Sequence, residues 1–365
     1  LTAPRRNRSA PRLLAAALLP LLLAACGTPQ GVVFEPLKNP PRWPDPPEPA
    51  RIVYLGQLAT SADLKPARLG IQVLGDKLFG AAVSYSMLTP FSACTDGADR
   101  VFVADATAQL IHVFDLHTRR YQQWHPQADG QHFSQPVAVA WDPDGKLIVS
   151  DSIGGVLWVL DTHGQVLAKL GEGTLQRPCG IAIAPATHRI YVADSQAHQV
   201  VVLSAQGQVL ARIGRRGEGP GEFNFPTAVA LDSHDRLYVC DALNFRVQQF
   251  DPRFVPLRTI GHQGDMPGCF AQPKALAVDH DDHLYVLDAQ FEAVEVFDPE
   301  GRLLLSFGEE GRQPGRFWLP TGISIDARNR IWIGDSYNRR IQVFEYLSES
   351  ESWTTRPAAA PPPAP

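Results

Sequence analysis

The sequence predicts an all-β fold made from one small sheet repeated six times, and three observations carry that reading. Asp105, Asp151, Asp194, Asp241, Asp288 and Asp335 each close a short β-type run: VFVAD, LIVSD, IYVAD, LYVCD, LYVLD and IWIGD. Their spacings are 46, 43, 47, 47 and 47 residues. Pro90, Pro136, Pro178, Pro226, Pro273 and Pro320 keep the same period, as do Phe250, Phe297 and Phe344. Between these marks no stretch of ten residues carries the apolar spacing of a helix. Self-similarity at a fixed period marks a repeat architecture. Four-stranded antiparallel units of this length arrange radially, leaving only short protected edges. The expected fold is a six-bladed β-propeller of four-stranded antiparallel blades.

Each unit takes its order from its turns. The first strand follows the proline (AVALDS, ALAVDH, GISIDA), and the second ends at the aspartate. The third reads RVQQF, AVEVF or RIQVF, and the fourth ends near a glycine: QVLARIG, PLRTIG, RLLLSFG. DPDG at 142–145, DTHG at 161–164 and DPEG at 298–301 are tight turns whose glycine supplies positive φ. The links between units include GRRGEGPGEFNFP (214–226), GHQGDMPGCFAQP (261–273) and GEEGRQPGRFWLP (308–320). A phosphate-cradling glycine loop opens a helix. These links lead from strand to strand and are read as connectors.

The sixth unit stops after its third strand, near Phe344, so its fourth must come from elsewhere. RIVYLG at 51–56 has the shape of VLARIG and is expected to complete that blade, closing the ring within a domain spanning 51–347. Gly56 to Pro90 is 34 residues against 12 in a regular link, so residues 57–89 hold an insertion at the closure seam.

LYVCDALNFRVQQF (237–250) and IWIGDSYNRRIQVF (331–344) carry an Asp-x-x-Asn-x-Arg spacing after the second strand. With the glycine-rich links, they resemble the NHL repeat over roughly residues 89–347. The first two units depart from it, since DATAQL and DSIGGV lack the Asn and Arg. The resemblance implies a rigid propeller whose loops carry the function. Six-bladed relatives of this type include metal-dependent lyases and lactone hydrolases, which keeps a metal-dependent lyase or hydrolase as the second reading.

The ends carry targeting information. Arg5, Arg6, Arg8 and Arg12 precede an apolar run, Leu13 to Ala25, of 13 residues. A membrane-spanning helix needs about 20, so 1–25 reads as a secretory signal. LAAC at 23–26 resembles the bacterial lipobox, whose cysteine, here Cys26, is lipidated and becomes the N-terminus. Gly27 in place of Asp points to the outer membrane, facing the periplasm. Residues 26–50 are Pro-rich and read as a semi-rigid tether; 348–365, rich in Pro and Ala, as a disordered tail. Without the signal, four of 33 basic residues are lost, leaving 29 against 38 acidic, about −9. That balance argues against nucleic acid, whose binding is dominated by basic contacts. Membrane contact is expected through the lipid anchor alone. Cys94, Cys179, Cys240 and Cys269 remain in an oxidising compartment, where four cysteines allow three pairings. Cys94 and Cys240 stand where other units carry Ala, Ser or Leu and read as buried thiols.

Strand alternation puts the links and the post-aspartate loops on one face of the ring and the tight turns on the other. Whatever occurs in every unit serves the repeat, and a site shows as a departure from it. The six aspartates are therefore read as structural, accepting backbone N–H bonds that fix the adjoining loops. His117, His163, His188, His234, His280 and His283 fall in the tight turns; zinc needs three or four converging ligands. No cofactor and no metal is expected. The channel-mouth positions after each proline are Phe91, Val137, Cys179, Thr227, Lys274 and Thr321, with Lys274 the only charge. YQQWHPQADGQHF (121–133) departs from the regular link and offers Tyr121, Trp124, His125, His132 and Phe133 as a contact patch, with packing over the neighbouring blade as the alternative. Arg215, Arg216, Phe225, Arg312, Arg316 and Trp318 complete the candidate loop face. The expected role is non-catalytic: binding or scaffolding of an envelope protein, peptide or polymer.

Overall fold

The computed structural model describes residues 31–67 and 84–347, and it is built almost wholly of short antiparallel strands. Five sheets have four strands in sequence order, and a sixth has five. Blade 4 is representative: Pro226–Leu231, Leu237–Asp241, Arg246–Phe250 and Pro256–Ile260. Its second strand is buried at every position, whereas the outer strand is exposed except at its last residue. A strand buried on both faces has no polar face to present, which explains runs such as LYVCD and IYVAD. The core therefore lies between blades. Blades 1–6 begin at Pro90, Pro136, Pro178, Pro226, Pro273 and Pro320, and each inner strand packs on that of the next blade.

Ring closure follows from one pairing. Ile52–Leu58 runs antiparallel to Arg340–Tyr346, with Ile52 opposite Tyr346 and Leu58 opposite Ile341. Ile52, Tyr54 and Leu58 are buried, and the Tyr54 ring stands edge-on to Phe344 at 5.6 Å. Blade 6 thus combines three C-terminal strands with one from the N-terminal side.

Residues 31–50, expected to serve only as a tether, pack against this blade. Arg42–Trp43 adds a fifth strand beside Ile52–Val53. Trp43 lies 5.6 Å from Phe307 and 5.9 Å from Phe344, and Phe34 meets Trp332 edge-on at 6.2 Å. Two large aromatic side chains give this Pro-rich stretch enough apolar surface to dock. Its prolines need no ladder partner on an edge strand, and they cap that edge against further pairing. The signal, Cys26, the tail and residues 68–83 of the insertion lie outside the described residues. The rest of the insertion is anchored by a Thr60–Ser86 bridge and by buried Leu64 and Met87. No helix among the described residues is long and apolar enough to cross a membrane.

Each repeat aspartate, at most 1% exposed, receives backbone N–H groups from the link that enters its blade. Asp105 takes Leu88 and Thr89, Asp151 takes Ser134 and Gln135, and Asp194 takes Gln176 and Arg177. Asp241 takes Asn224, Asp288 takes Ala271 and Gln272, and Asp335 takes Trp318. Two further donors differ from blade to blade. Asn244 and Arg246 reinforce Asp241, Asn338 and Arg340 reinforce Asp335, and in blade 1 His112 Nε2 lies 3.1 Å from Asp105.

The channel mouth, a candidate binding site

The six inner strands share an irregularity at their first turn. Blade 4 pairs Pro226 with Asp241 but Ala228 with Cys240, so Thr227 has no partner across the ladder. The same shift leaves Phe91, Val137, Cys179, Lys274 and Thr321 outside the register of their blades. A bulge re-aims one side chain relative to its strand. Repeated six times around an axis, it turns one residue per blade toward the channel. All six line a cavity of about 280 Å³. Small residues beside them let the strands converge: a Cβ on Gly180 would meet Ala228 Cα at 2.6 Å, and one on Gly322 would meet the Phe91 carbonyl at 2.5 Å.

Most hydroxyls at this site tie one blade to the next. Thr321 Oγ1 donates to the Phe91 carbonyl at 2.8 Å, Ser324 Oγ to the Ala93 carbonyl at 2.7 Å and Ser150 Oγ to the Cys179 carbonyl at 2.7 Å. Lys274 is different. Its Nζ lies 5.4 Å from the centre of the Phe91 ring, and among the described residues it makes no ion pair or hydrogen bond. Burial lowers its ammonium pKa below the usual lysine range, and no neighbouring carboxylate offsets that effect. The second cation on the cavity wall is Arg177, exposed at the rim. Arg177 precedes a blade proline rather than following one, so a count of the positions after the prolines does not reach it. The lining contains no Asp, Glu or His, so the mouth is an apolar funnel with a positive end.

Chemically, a partly desolvated ammonium without a counterion favours an anion. The Cys179 thiol does not offer a second chemistry: burial raises its pKa, and Sγ sits 3.6 Å from the Arg177 carbonyl. Cys94, Cys179, Cys240 and Cys269, the four cysteines among the described residues, are free thiols. Cys94 and Cys240 are buried in the core, where burial pushes Cys240 up to about 12.

The remaining candidates divide. Trp124 and Phe133 are not on the surface: Trp124 packs 5.4 Å from Phe102, and Phe133 meets Trp158 edge-on at 5.3 Å. The aromatic patch expected at 121–133 is in this respect packing over the neighbouring blade, because those rings fill the space between blades 1 and 2. Tyr121 turns inward as well, its hydroxyl 2.6 Å from His112 Nδ1, while Tyr85 stacks on its outer side at 5.7 Å. His125 and His132 stay exposed, beside a small hairpin, Gln127–Ala128 with Gln131–His132. On the links, Arg215 pairs with Glu222 at 2.9 Å and Arg316 with Glu309 at 2.7 Å, whereas Arg216 is exposed. Arg312 lies 4.7 Å over Trp318, which is 5.7 Å from Tyr337, and Phe225 is edge-on to His198 at 4.4 Å.

On the opposite face the turn histidines His188 and His234 bridge blades, a role not read from the sequence. His188 Nδ1 of blade 3 lies 2.6 Å from Asp142 of blade 2, and His234 of blade 4 lies 3.1 Å from Asp282 of blade 5. With Asp144 and Asp232 these form two groups of three ligand-type side chains, each already tied by internal hydrogen bonds.

Residues 180–277 match a family model described as a 6-bladed β-propeller, and residues 317–344 match the NHL repeat. The sixth blade carries an NHL repeat. No curated protein matches the chain in sequence. Among solved structures, streptogramin B lyase superposes with a TM-score of 0.55 at 12% identity, over 72% of this chain and 95% of that one. Virginiamycin B lyase from Staphylococcus aureus gives 0.53 at 12% identity, over 71% and 96%. An auxiliary nutrient binding protein from Bacteroides thetaiotaomicron gives 0.56 at 14% identity, over 71% and 69%. At such identities the likeness concerns the fold of this NHL-type propeller, and a fold hosts many functions.

Proposed function

We propose that this propeller is a non-catalytic binding module of the cell envelope, anchored through Cys26, whose loop face takes an anionic peptide or envelope polymer. The observation that supports it most is Lys274, an ammonium with no counterion among the described residues, at the mouth of an apolar channel. A carboxylate entering there would restore the solvation that burial removes, and Arg177 at the rim would steer it. Neighbouring folds include both lyases and a nutrient binding protein, and the channel lining, lacking Asp, Glu and His, favours the second kind of role.

Titrating acidic peptides and uronate oligosaccharides against the wild type and Lys274→Met tests the reading. Loss of about tenfold or more in affinity is expected, the contribution of one charge-assisted contact. Equal affinity in both proteins would remove the channel from consideration. A stoichiometric bound transition metal in the purified protein would favour the lyase or hydrolase reading instead. For the anchor, incorporation of labelled fatty acid is expected in the wild type and lost in Cys26→Ser; labelling unchanged by that substitution would refute it.

A further inference from the structure

The three matching links are held down differently. In blade 4, Arg246 donates from Nε to Asp241 at 2.8 Å and from Nη2 to the carbonyls of Gly219 and Glu222 at 2.9 and 3.0 Å. Gln248 Nε2 donates to the same Glu222 carbonyl at 2.7 Å. Blade 6 repeats the arrangement: Arg340 reaches Asp335 and the carbonyls of Gln313 and Arg316, and Gln342 donates to Arg316. Blade 5 has the same type of link at 261–273. Adding the 47-residue period, however, puts Ala293 at the arginine position and Glu295 at the glutamine position.

The consequence is a cavity of about 190 Å³ lined in part by Asp288, Ala293, Glu295 and Phe291, with exposed Met266 at its mouth. Glu295 is 6% exposed. Its Oε1 accepts the Gly268 N–H at 3.0 Å, whereas Oε2 is buried and has no hydrogen-bond partner among the described residues. Among the described residues Asp288 accepts only backbone N–H groups, from Ala271, Gln272, Gln290 and Phe291, where Asp241 and Asp335 of blades 4 and 6 also hold a guanidinium. A buried acceptor without a donor is destabilising, and more so when charged. Burial, aided by the charge of Asp288, raises the Glu295 carboxyl pKa.

We propose that this cleft receives an arginine side chain from a bound peptide or protein, supplied in trans where Arg246 and Arg340 lie in the sister blades. The chain provides the template for its own ligand. The period matches Gly219 and Glu222 to Met266 and Cys269, so a guanidinium would meet two carboxylates and two link carbonyls of a known arrangement. A planar fork of five donors fits such a set; an ammonium would satisfy fewer acceptors. The site is independent of Lys274, because it is formed by the third strand of blade 5 and the link before it rather than by the channel.

The test uses the full chain and two probes, Nα-acetyl-arginine methylamide and its neutral isostere Nα-acetyl-citrulline methylamide, in calorimetric titrations. The arginine probe is expected to bind with Kd on the order of 1 mM, as a small ligand with one anchoring group would, and the citrulline probe at least about tenfold more weakly. Glu295→Gln, the residue that two sister blades carry, is expected to fold and to weaken arginine binding about tenfold or more. Ala293→Arg fills the cleft in cis and should abolish probe binding while raising the melting temperature. Lys274→Met should leave probe binding unchanged. Saturable binding lost in both blade 5 variants and kept in Lys274→Met would establish the site. No binding of the arginine probe, equal binding of citrulline, or undiminished binding in Glu295→Gln would overturn it, whatever the fate of Ala293→Arg.

Discussion

Residues of one type do different work here according to what faces them. The repeat aspartates are buried charges made tolerable by converging N–H groups, and in blades 4 and 6 by a guanidinium as well. The turn histidines work at the other face. His188 is held above the usual histidine range first by its hydrogen bond to Asp142, with Asp144 adding and Lys146 opposing. His283 is raised by its bond to Asp279, with Asp281 and Asp298 adding and burial opposing. A histidine whose folded pKa is raised contributes stability that is full below its unfolded value, about 6.5, and that is lost as pH rises through the folded value. The double variant His188→Gln/His283→Gln should therefore be less stable than the wild type near pH 5.5, with the gap narrowing toward pH 8.5. Chemical denaturation across that range checks it. A gap that widens with pH would contradict the assignment.

At the scale of elements, the same four-stranded sheet is finished in two ways. Five blades are closed by their own chain order, and the sixth by Ile52–Leu58, with Arg42–Trp43 outside it. Burying Ile52, Tyr54 and Leu58 contributes roughly 1.5–3 kcal/mol for each side chain. A chain that begins at residue 60 should thus lose on the order of 5 kcal/mol or more. It would also bare the strand holding Phe344, an open edge prone to pairing with other chains. A lower melting temperature and concentration-dependent association are expected by calorimetry and light scattering. An unaltered monomer with wild-type stability would show that closure does not depend on this strand. The insertion that follows is tied back by Leu64 and Met87, so its two described ends belong to the seam between blades 6 and 1.

For the whole molecule, legibility tracked repetition. Six aspartates, six prolines and an incomplete last unit were enough to specify blade number, strand order and the closing strand, because each copy restates the same local chemistry. The identities at the channel mouth were also readable, since the position after each proline can be counted. The bulge that turns those side chains inward is a feature of pairing between strands and has no residue signature of its own. For Trp124 and Phe133 the sequence left a contact patch and packing over the neighbouring blade as alternatives for a related reason: nothing in the link itself shows that these rings fill the gap between two blades.

The sequence by itself therefore determined the module, its number and the way the ring joins, all set by interactions close along the chain or repeated at a fixed period. Only the tertiary structure decided which groups stand without partners. Among the described residues Lys274 lacks a counterion and Glu295 Oε2 a donor because of what neighbouring blades and links do not bring to them. Such a deficit arises from distant segments meeting in space, so it cannot be read from either residue's own surroundings in the chain.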